Sequence, residues 1–364
     1  MATHHKISAN GVSFGARSGA VLLDAALLQG VSLPHDCRAG RCGSCLTRVR
    51  KGVTVGGESG QPRMVYACQA RVLSDLAIEF EDLPEPVRIK AQLTGLRELT
   101  SDVVELEIKT ETPLEMFPGQ YCRFTFRGFP TRAYSPTAAL QGRNWADTFN
   151  LHIQRVRNGR VSSQFGTSIN AGHALTIEGP FGTAFHRPER SERLVLASSG
   201  TGFAPIYAVA EAALRENFQR QIVLIAGARQ LQSLYMPAAL GWMSAAPNTT
   251  VIATADEPHG ISRVVRTGSV AEHLPPLQAS DIVYAAGGPI VVNAVSKIAS
   301  KVGAQVHCDV FQPAGADERT GGLGELWSRL SPWKQKPGSR QPASPRAPSR
   351  ARPRQHLRPA ARTA

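Results

Sequence analysis

The sequence has no hydrophobic run long enough to cross a bilayer. Its most apolar stretch near the start, residues 21–28, is interrupted by Asp24, and residues 1–8 show no hydrophobic core of a signal peptide. These absences exclude a helical membrane protein, and they predict a protein that is not exported and works in the cytoplasm.

Acidic residues are missing from residues 331–364, which contain nine Lys or Arg. Because the whole chain has a net charge of +13, the other 330 residues carry only +4. Pro, Arg, Ala and Ser dominate after Pro313, so residues 314–364 are predicted to form a disordered basic tail. A basic strip binds polyphosphates nonspecifically, but only Trp327 and Trp333 supply aromatic rings there, which argues against specific nucleic-acid binding. A read-through or out-of-frame extension of the gene is the simpler interpretation.

Four of the six cysteines follow the spacing of a plant-type [2Fe–2S] site: Cys37, Cys42 and Cys45 in one loop, then Cys68. Glycines inside the loop give the backbone the freedom to fold back around a cluster. Disulfides and a zinc site are the alternatives. A chain of this length without a signal peptide argues against the first, and a single C-x2-C pair argues against the second. Cys122 and Cys308 lie in apolar segments and are predicted to be buried.

Composition and periodicity divide the rest of the chain into three predicted domains. Residues 1–83 are α+β, with a helix capped by Ser18 and stopped by Gly30, and a Pro-rich linker follows. Residues 86–188 contain regularly spaced turn signals between short strands, which predicts a small antiparallel barrel. Within it, apolar and polar residues alternate at 104–109, which predicts a half-buried strand. Residues 190–313 alternate strands with helices at 204–217 and 289–301, the pattern of a parallel α/β sheet.

Two glycine-rich loops in the third domain follow apolar strands and open helices, at residues 198–205 and 285–289. Such loops let a pyrophosphate approach the positive end of a helix. The first loop lacks the third glycine of the Rossmann fingerprint, so it is a different dinucleotide loop. Two loops of this kind in one sheet delimit a cleft. In the predicted barrel, residues 132–135 are suited to bind a flavin, and residues 158–162 are suited to bind a phosphate. Neither segment alone is specific evidence for such a site.

The order of these motifs resembles the reductase components of bacterial multicomponent oxygenases, particularly the naphthalene dioxygenase type. The resemblance covers residues 1 to about 313. It implies a β-grasp plant-type ferredoxin domain, an FAD-binding β-barrel and a nicotinamide domain of the ferredoxin–NADP reductase superfamily.

The resemblance also implies roles for individual residues. Ser135 would hydrogen-bond flavin N5, as the one residue assigned to the reaction itself. Beside it, Arg132 would contact the FAD phosphate and Tyr134 would pack on the flavin ring. Gly159, Val161 and Ser162 would hold the FAD pyrophosphate. The nicotinamide-binding loops would be formed by Gly200, Thr201, Gly202, Pro205, Gly287, Gly288 and Pro289. Arg229 would face the adenosine ribose, and Phe311 would lie near the flavin. The segments 118–121 and 179–182 match structural turns of the family's barrel.

The implied activity is electron transfer from NAD(P)H through FAD and the cluster to a ferredoxin or terminal oxygenase partner, in aromatic-ring hydroxylation. NADH is favoured, although no acidic residue ends the strand before Arg229. Exposed Arg38 and Arg41 are candidates for steering an acidic partner. Two alternatives remain: an electron carrier or redox sensor with little turnover, and a reductase for a di-iron monooxygenase or a sugar dehydrase. The first rests on Ala286, where the family usually has a cysteine that helps to place the nicotinamide. The segment between Cys45 and Cys68 is also shorter than in the family.

Overall fold

The computed structural model describes residues 3–137, 147–257 and 264–311. The predicted tail, residues 314–364, lies outside these residues. No helix in the described ranges has the length and apolar composition needed to span a membrane.

The first part of the chain forms a mixed five-stranded sheet with one helix packed on it. The sheet has the order β2-β1-β7-β3-β5, with β1 and β7 parallel and the other neighbours antiparallel. The small strands β4 and β6 pair separately. The elements are β1 (His4–Ala9), β2 (Val12–Arg17), α1 (Leu22–Leu28), β3 (Leu46–Lys51), β4 (Thr54–Val55), β5 (Met64–Tyr66), β6 (Arg71–Val72) and β7 (Leu76–Glu79).

The start of α1 differs from the sequence prediction. The helix begins after Val21, which provides no side-chain cap, and Ser18 lies too early to cap it. The free N–H groups of the first turn are instead bound by distant carbonyls: Leu22 donates to Ala70 at 2.8 Å and Leu23 donates to Ala67 at 3.0 Å. A tertiary contact therefore replaces the local cap.

The second part is an antiparallel sheet of six strands in the order β11-β10-β13-β8-β9-β12. An isolated bridge between Thr137 and Asn150 joins its two edges and closes it as a barrel. Its strands are β8 (Val87–Glu98), β9 (Val103–Thr110), β10 (Tyr121–Phe126), β11 (Arg132–Tyr134), β12 (Thr148–Gln154) and β13 (Ala174–Phe181). The prediction that residues 104–109 are half-buried is wrong for Glu105, which is only 9% exposed because His152 and Arg97 both hydrogen-bond its carboxylate.

The third part is a parallel six-stranded sheet in the order β17-β16-β15-β14-β18-β19. Its strands and helices are β14 (Leu194–Ser199), α2 (Phe203–Glu216), β15 (Ile222–Gln230), α3 (Pro237–Ser244), β16 (Thr249–Glu257), β17 (Val265–Thr267), β18 (Ile282–Gly287), α4 (Pro289–Lys301) and β19 (Gln305–Val310). The predicted helices correspond to α2 and α4.

Alternate residues of β14 face opposite sides of this sheet. Leu194 and Leu196 pack in one apolar cluster with α2 and α3, while Val195 and Ala197 pack in another with α4. The strand order reverses between β14 and β18, so the carboxyl ends of these two strands flank the crevice where open α/β sheets bind ligands.

Candidate functional site

The four predicted cluster ligands lie together as two pairs. The Sγ atoms of Cys45 and Cys68 are 3.3 Å apart, and the side chain of Cys42 hydrogen-bonds that of Cys37. The backbone N–H groups of Ala39, Arg41 and Cys42 each donate to Cys37 Sγ at 3.4 Å. These loop contacts lie within a turn that passes through left-handed glycines at Gly40 and Gly43, with φ of +70° and +76°.

This donor set fits a binuclear cluster. Its two thiol pairs, Cys37 with Cys42 and Cys45 with Cys68, would offer two ligands to each of two irons. The pKa of the Cys37 thiol is lowered by a hydrogen bond from Cys42 and by the backbone N–H groups, while the same thiol–thiol contact raises the pKa of Cys42. The backbone N–H donors are the ones that would remain with thiolates bound to iron, where such donors tune the reduction potential of the cluster.

The segment assigned to flavin binding forms β11 and its continuation. Ser135 is buried at 7% exposure, and Tyr134 packs on Phe124 with ring centroids 5.9 Å apart. The Arg132 guanidinium donates to the Thr131 carbonyl at 2.8 Å and is partly exposed. Just beyond the motif, Thr137 Oγ1 is buried without a hydrogen-bond partner among the described residues.

The loop assigned to the FAD pyrophosphate is a tight turn that continues into a single 3-10 turn, Ser162–Gln164. Val161 belongs to the barrel core, and the hydroxyl of Ser162 accepts from the Val156 N–H at 3.1 Å. A Cβ at Gly159 would lie 2.6 Å from that hydroxyl oxygen, so a side chain at this position would displace the loop. Contact of Ser162 and Arg132 with the cofactor remains a prediction.

Ser135 connects the barrel to the parallel sheet. Its hydroxyl donates to Asp309 Oδ2 at 2.5 Å, and Asp309 is paired in register with Ala286 on the neighbouring strand. Burial raises the pKa of Asp309 to about 6, although the bond from Ser135 opposes the shift. Asp309 was overlooked as a functional residue because nothing local distinguishes an acid at the end of a strand.

The two glycine loops of the nicotinamide domain interlock. A Cβ at Gly202 would lie 2.3 Å from the Ala286 carbonyl oxygen, and one at Gly287 would lie 2.5 Å from the Ser199 carbonyl oxygen. The Gly288 N–H donates to Ser199 Oγ at 3.1 Å. Gly200, by contrast, has open space where a side chain would be, with φ of +54°. The interlock therefore fixes both loops, while the backbone at Gly200 stays accessible to a dinucleotide.

The other predicted residues lie around the same crevice. The Phe311 N–H donates to the Gly287 carbonyl at 2.8 Å, which ties the aromatic residue to the second loop. Thr201 belongs to the short 3-10 turn before α2, Pro205 lies in the first turn of α2, and Pro289 opens α4. A cavity beside Gly200 is lined by Phe203, Gly227, Tyr235 and neighbouring residues.

Arg229, predicted to face the adenosine ribose, has an acidic partner that the sequence analysis did not find. Its guanidinium lies 3.3 Å from Glu257 Oε1. Glu257 ends the adjacent strand β16, where it is paired in register with Gln230. The acid comes from a neighbouring strand 28 residues away, so an inspection of the end of β15 alone cannot reveal it.

Comparison with known protein families agrees with the three-part structure. Residues 6–73 match the 2Fe-2S iron-sulfur cluster binding domain, residues 90–186 the oxidoreductase FAD-binding domain, and residues 196–297 the oxidoreductase NAD-binding domain. The predicted fold class and the three predicted cofactors are thereby confirmed. The exact domain boundaries and the individual cofactor contacts stay predictions.

Among curated proteins, the ferredoxin–NAD(P)+ reductase component of the naphthalene 1,2-dioxygenase/salicylate 5-hydroxylase systems of a Ralstonia species is 32% identical over 82% of this chain and 96% of its own length. The corresponding component from Pseudomonas putida is 30% identical over 82% of this chain and 95% of its own length. The solved ferredoxin reductase of carbazole 1,9a-dioxygenase shares the fold, with a TM-score of 0.60 at 24% identity over 86% of this chain and 99% of its own. The chain belongs to the family of ferredoxin–NAD(P)+ reductase components of oxygenase systems.

Proposed function

We propose that this protein is the NAD(P)H-dependent reductase of an oxygenase system, which delivers electrons to a ferredoxin or to a terminal oxygenase acting on aromatic rings. The observation that carries the proposal is the bond between Ser135 and Asp309. It joins the serine of the flavin motif to β19, the neighbour of the strand that ends in the predicted nicotinamide loop. FAD, when bound, would supply the conversion between two-electron hydride chemistry and one-electron transfer to the cluster.

The chain's own residues bind and orient these groups. Cys37, Cys42, Cys45 and Cys68 would hold the cluster. Ser135 would present its hydroxyl to the flavin, and Asp309 fixes the direction of that hydroxyl by accepting its proton in a hydrogen bond. Burial raises the pKa of Asp309 to about 6, so at neutral pH most of it is the carboxylate that accepts this hydrogen bond.

The pair formed by Arg229 and Glu257 supports NADH as the preferred nucleotide. An arginine at the adenosine ribose binds a 2′-phosphate best when its charge is free. Here Glu257 neutralises Arg229, and its carboxylate would repel the extra phosphate of NADPH. Neither effect acts on the neutral ribose hydroxyl of NADH.

The requirement for four reduced thiols supports a cytoplasmic location. Of the two arginines considered for partner steering, Arg38 forms an ion pair with Asp24 inside the first domain. Its charge is therefore partly compensated, and Arg38 contributes less to attraction of an acidic partner than its exposure suggests.

The proposal is tested by anaerobic purification followed by visible spectroscopy, with iron and flavin quantitation and assays of NADH oxidation. We expect two irons and one flavin per chain, NADH-dependent reduction of ferricyanide, and slower reduction of cytochrome c that requires the cluster. The variant Cys45→Ser should lose iron and cytochrome c reduction but keep flavin and ferricyanide reduction. Cys122→Ala, which alters a buried cysteine in the barrel core, is the matched control. A colourless wild-type protein without iron or flavin would contradict the proposal.

A further inference from the structure

Asp36, the residue before the first cluster cysteine, is a buried carboxylate whose partners belong to the flavin barrel. Its side chain is 6% exposed. One oxygen accepts a hydrogen bond from the Tyr121 hydroxyl and the other accepts from the Arg123 guanidinium. A carboxylate is stable in such a place only when it is paired, so this contact requires the first domain to be seated on the barrel.

The strand that supplies these partners also borders the flavin motif. Tyr121 and Arg123 lie on β10, and β10 pairs with β11, the strand of the motif. Arg123 is opposite Ala133 in this register, and Cys122 is opposite Tyr134. The same short strand therefore contacts the cluster loop through two side chains and the flavin segment through its backbone.

Further contacts seat the cluster loop on the barrel turn that follows β13. The Gly182 N–H donates to Ser44 Oγ at 3.1 Å, and the Thr183 hydroxyl donates to the Gly43 carbonyl at 3.4 Å. A Cβ at Gly182 would lie 3.0 Å from the Tyr121 ring, so this glycine allows the turn to pass close to it. The loop is thus held just before Cys37 and again between Cys42 and Cys45.

From this geometry, and resting on the proposed function, we propose that Asp36, Tyr121 and Arg123 form a docking clamp that positions the cluster for electron transfer from the flavin. These are positioning residues, because they act on the cluster loop and not on the reacting atoms. Domains joined by short linkers and modest interfaces move relative to each other unless specific contacts hold them. The rate of electron transfer falls steeply with the distance between donor and acceptor. Release of the clamp therefore slows the step between the cofactors and leaves the hydride step unaffected.

The test changes the barrel side of the clamp, which leaves the cysteine loop as it is. Tyr121→Phe removes one hydrogen bond, and Arg123→Gln removes the charge; the double variant removes both. A hydrogen bond to a charged group shifts a docking equilibrium by roughly tenfold or more. Anaerobic stopped-flow spectroscopy of the holoenzyme with NADH separates flavin reduction from cluster reduction. We expect flavin reduction to stay within twofold of the wild type and cluster reduction to slow by about tenfold in the double variant.

A second measurement does not depend on activity. Hydrogen–deuterium exchange of the holoenzyme should become faster at residues 36–45 and 179–183 in the double variant, because both segments lose contacts on release. Arg50→Gln is the matched control, since it breaks an arginine–glutamate pair confined to the first domain. It should change neither exchange in these segments nor cluster reduction.

Combination with Asp36→Asn completes the test. If the three residues act as one unit, this change adds little to the slowing already caused by the double variant. Unchanged exchange together with unchanged cluster reduction in the double variant would overturn the proposed clamp. Faster exchange with normal cluster reduction would also overturn it, because docking would then not limit the transfer. Failure of the proposed function looks different, since the wild-type flavin would then not be reduced by NADH at all.

Discussion

Replacement of Glu257 by glutamine tests how the protein discriminates between NADH and NADPH. The change keeps the shape of the side chain and removes one negative charge beside Arg229. The two charged atoms are 3.3 Å apart and both side chains are substantially exposed, at 79% and 47%. Coulomb attraction at this distance in water is about 1.3 kcal/mol, and exposure and salt reduce it to roughly 0.5–1 kcal/mol.

Two effects of the substitution favour NADPH. Arg229 becomes free to bind the 2′-phosphate, and the repulsion between that phosphate and the Glu257 carboxylate disappears. If each effect contributes roughly 0.7 kcal/mol, their sum is about 1.4 kcal/mol, or a tenfold rise in kcat/KM. We therefore expect Glu257→Gln to raise kcat/KM for NADPH about tenfold and to leave the value for NADH within twofold.

The assay is steady-state ferricyanide reduction with each nucleotide at low salt and again at 0.5 M salt. The gain for NADPH should shrink at high salt, because these charges are exposed and screened. Glu79→Gln is the matched control: Glu79 is 51% exposed and paired with Arg50, in a sheet of the first domain. Equal changes for NADH and NADPH, or no gain for NADPH, would show that Glu257 does not select the nucleotide.

Four other substitutions have defined outcomes. Ser135→Ala should slow flavin reduction by NADH by roughly 3–10-fold, measured by anaerobic stopped-flow, because the hydroxyl that would bond flavin N5 is lost, a neutral hydrogen bond that contributes about 0.5–1.5 kcal/mol. Asp309→Asn should stabilise the cofactor-free protein at pH 8: the folded-state pKa of about 6 lies above the ordinary value of 3.8, so the buried carboxylate costs about 3 kcal/mol above pH 6. That gain should disappear as the pH falls towards 4. If the inference is wrong, the difference in free energy of unfolding between variant and wild type, measured by urea denaturation, will not change with pH. Arg187→Met should lower the free energy of unfolding by about 1–3 kcal/mol in urea, because Arg187 is 5% exposed and donates to the carbonyls of Phe185 and Thr183, which would lose this donor; an unchanged midpoint would contradict this. Gly202→Ala should raise the KM for NADH by about tenfold or more, because the loops can no longer interlock; an unaltered KM would show that the interlock is not needed for binding.

Features built from a short continuous segment could be predicted from the sequence. The spacing of Cys37, Cys42 and Cys45 indicated the cluster because one loop must present three thiols together. The glycines of the nicotinamide loops were identified for a similar reason, although their tight mutual contact was not foreseen. Periodicity placed α4 within its observed bounds, since that helix is amphipathic and is opened by a proline.

Predictions failed where a distant residue determines the local outcome. The start of α1 is fixed by carbonyls of residues 67 and 70, so the local cap at Ser18 was the wrong signal. Glu105 reads as an exposed position in an alternating strand, yet His152, 47 residues later, makes its burial possible. Burial normally raises the pKa of a carboxyl group, but His152 and Arg97 outweigh that effect and lower the pKa of Glu105 to about 2.

The polar residues that connect one predicted cofactor site to another also depend on partners far away in the sequence. Asp36 lies 85 and 87 positions from Tyr121 and Arg123, and Ser135 lies 174 positions from Asp309. Each has an ordinary local context, because its role depends on where two separate domains meet. Loops that bind a cofactor are local backbone arrangements with recognisable glycines or cysteines. The contacts that join one site to another, by contrast, include single polar side chains contributed by separate domains. Substitutions at such contacts should therefore change how fast electrons pass between the sites while each site still binds its own cofactor.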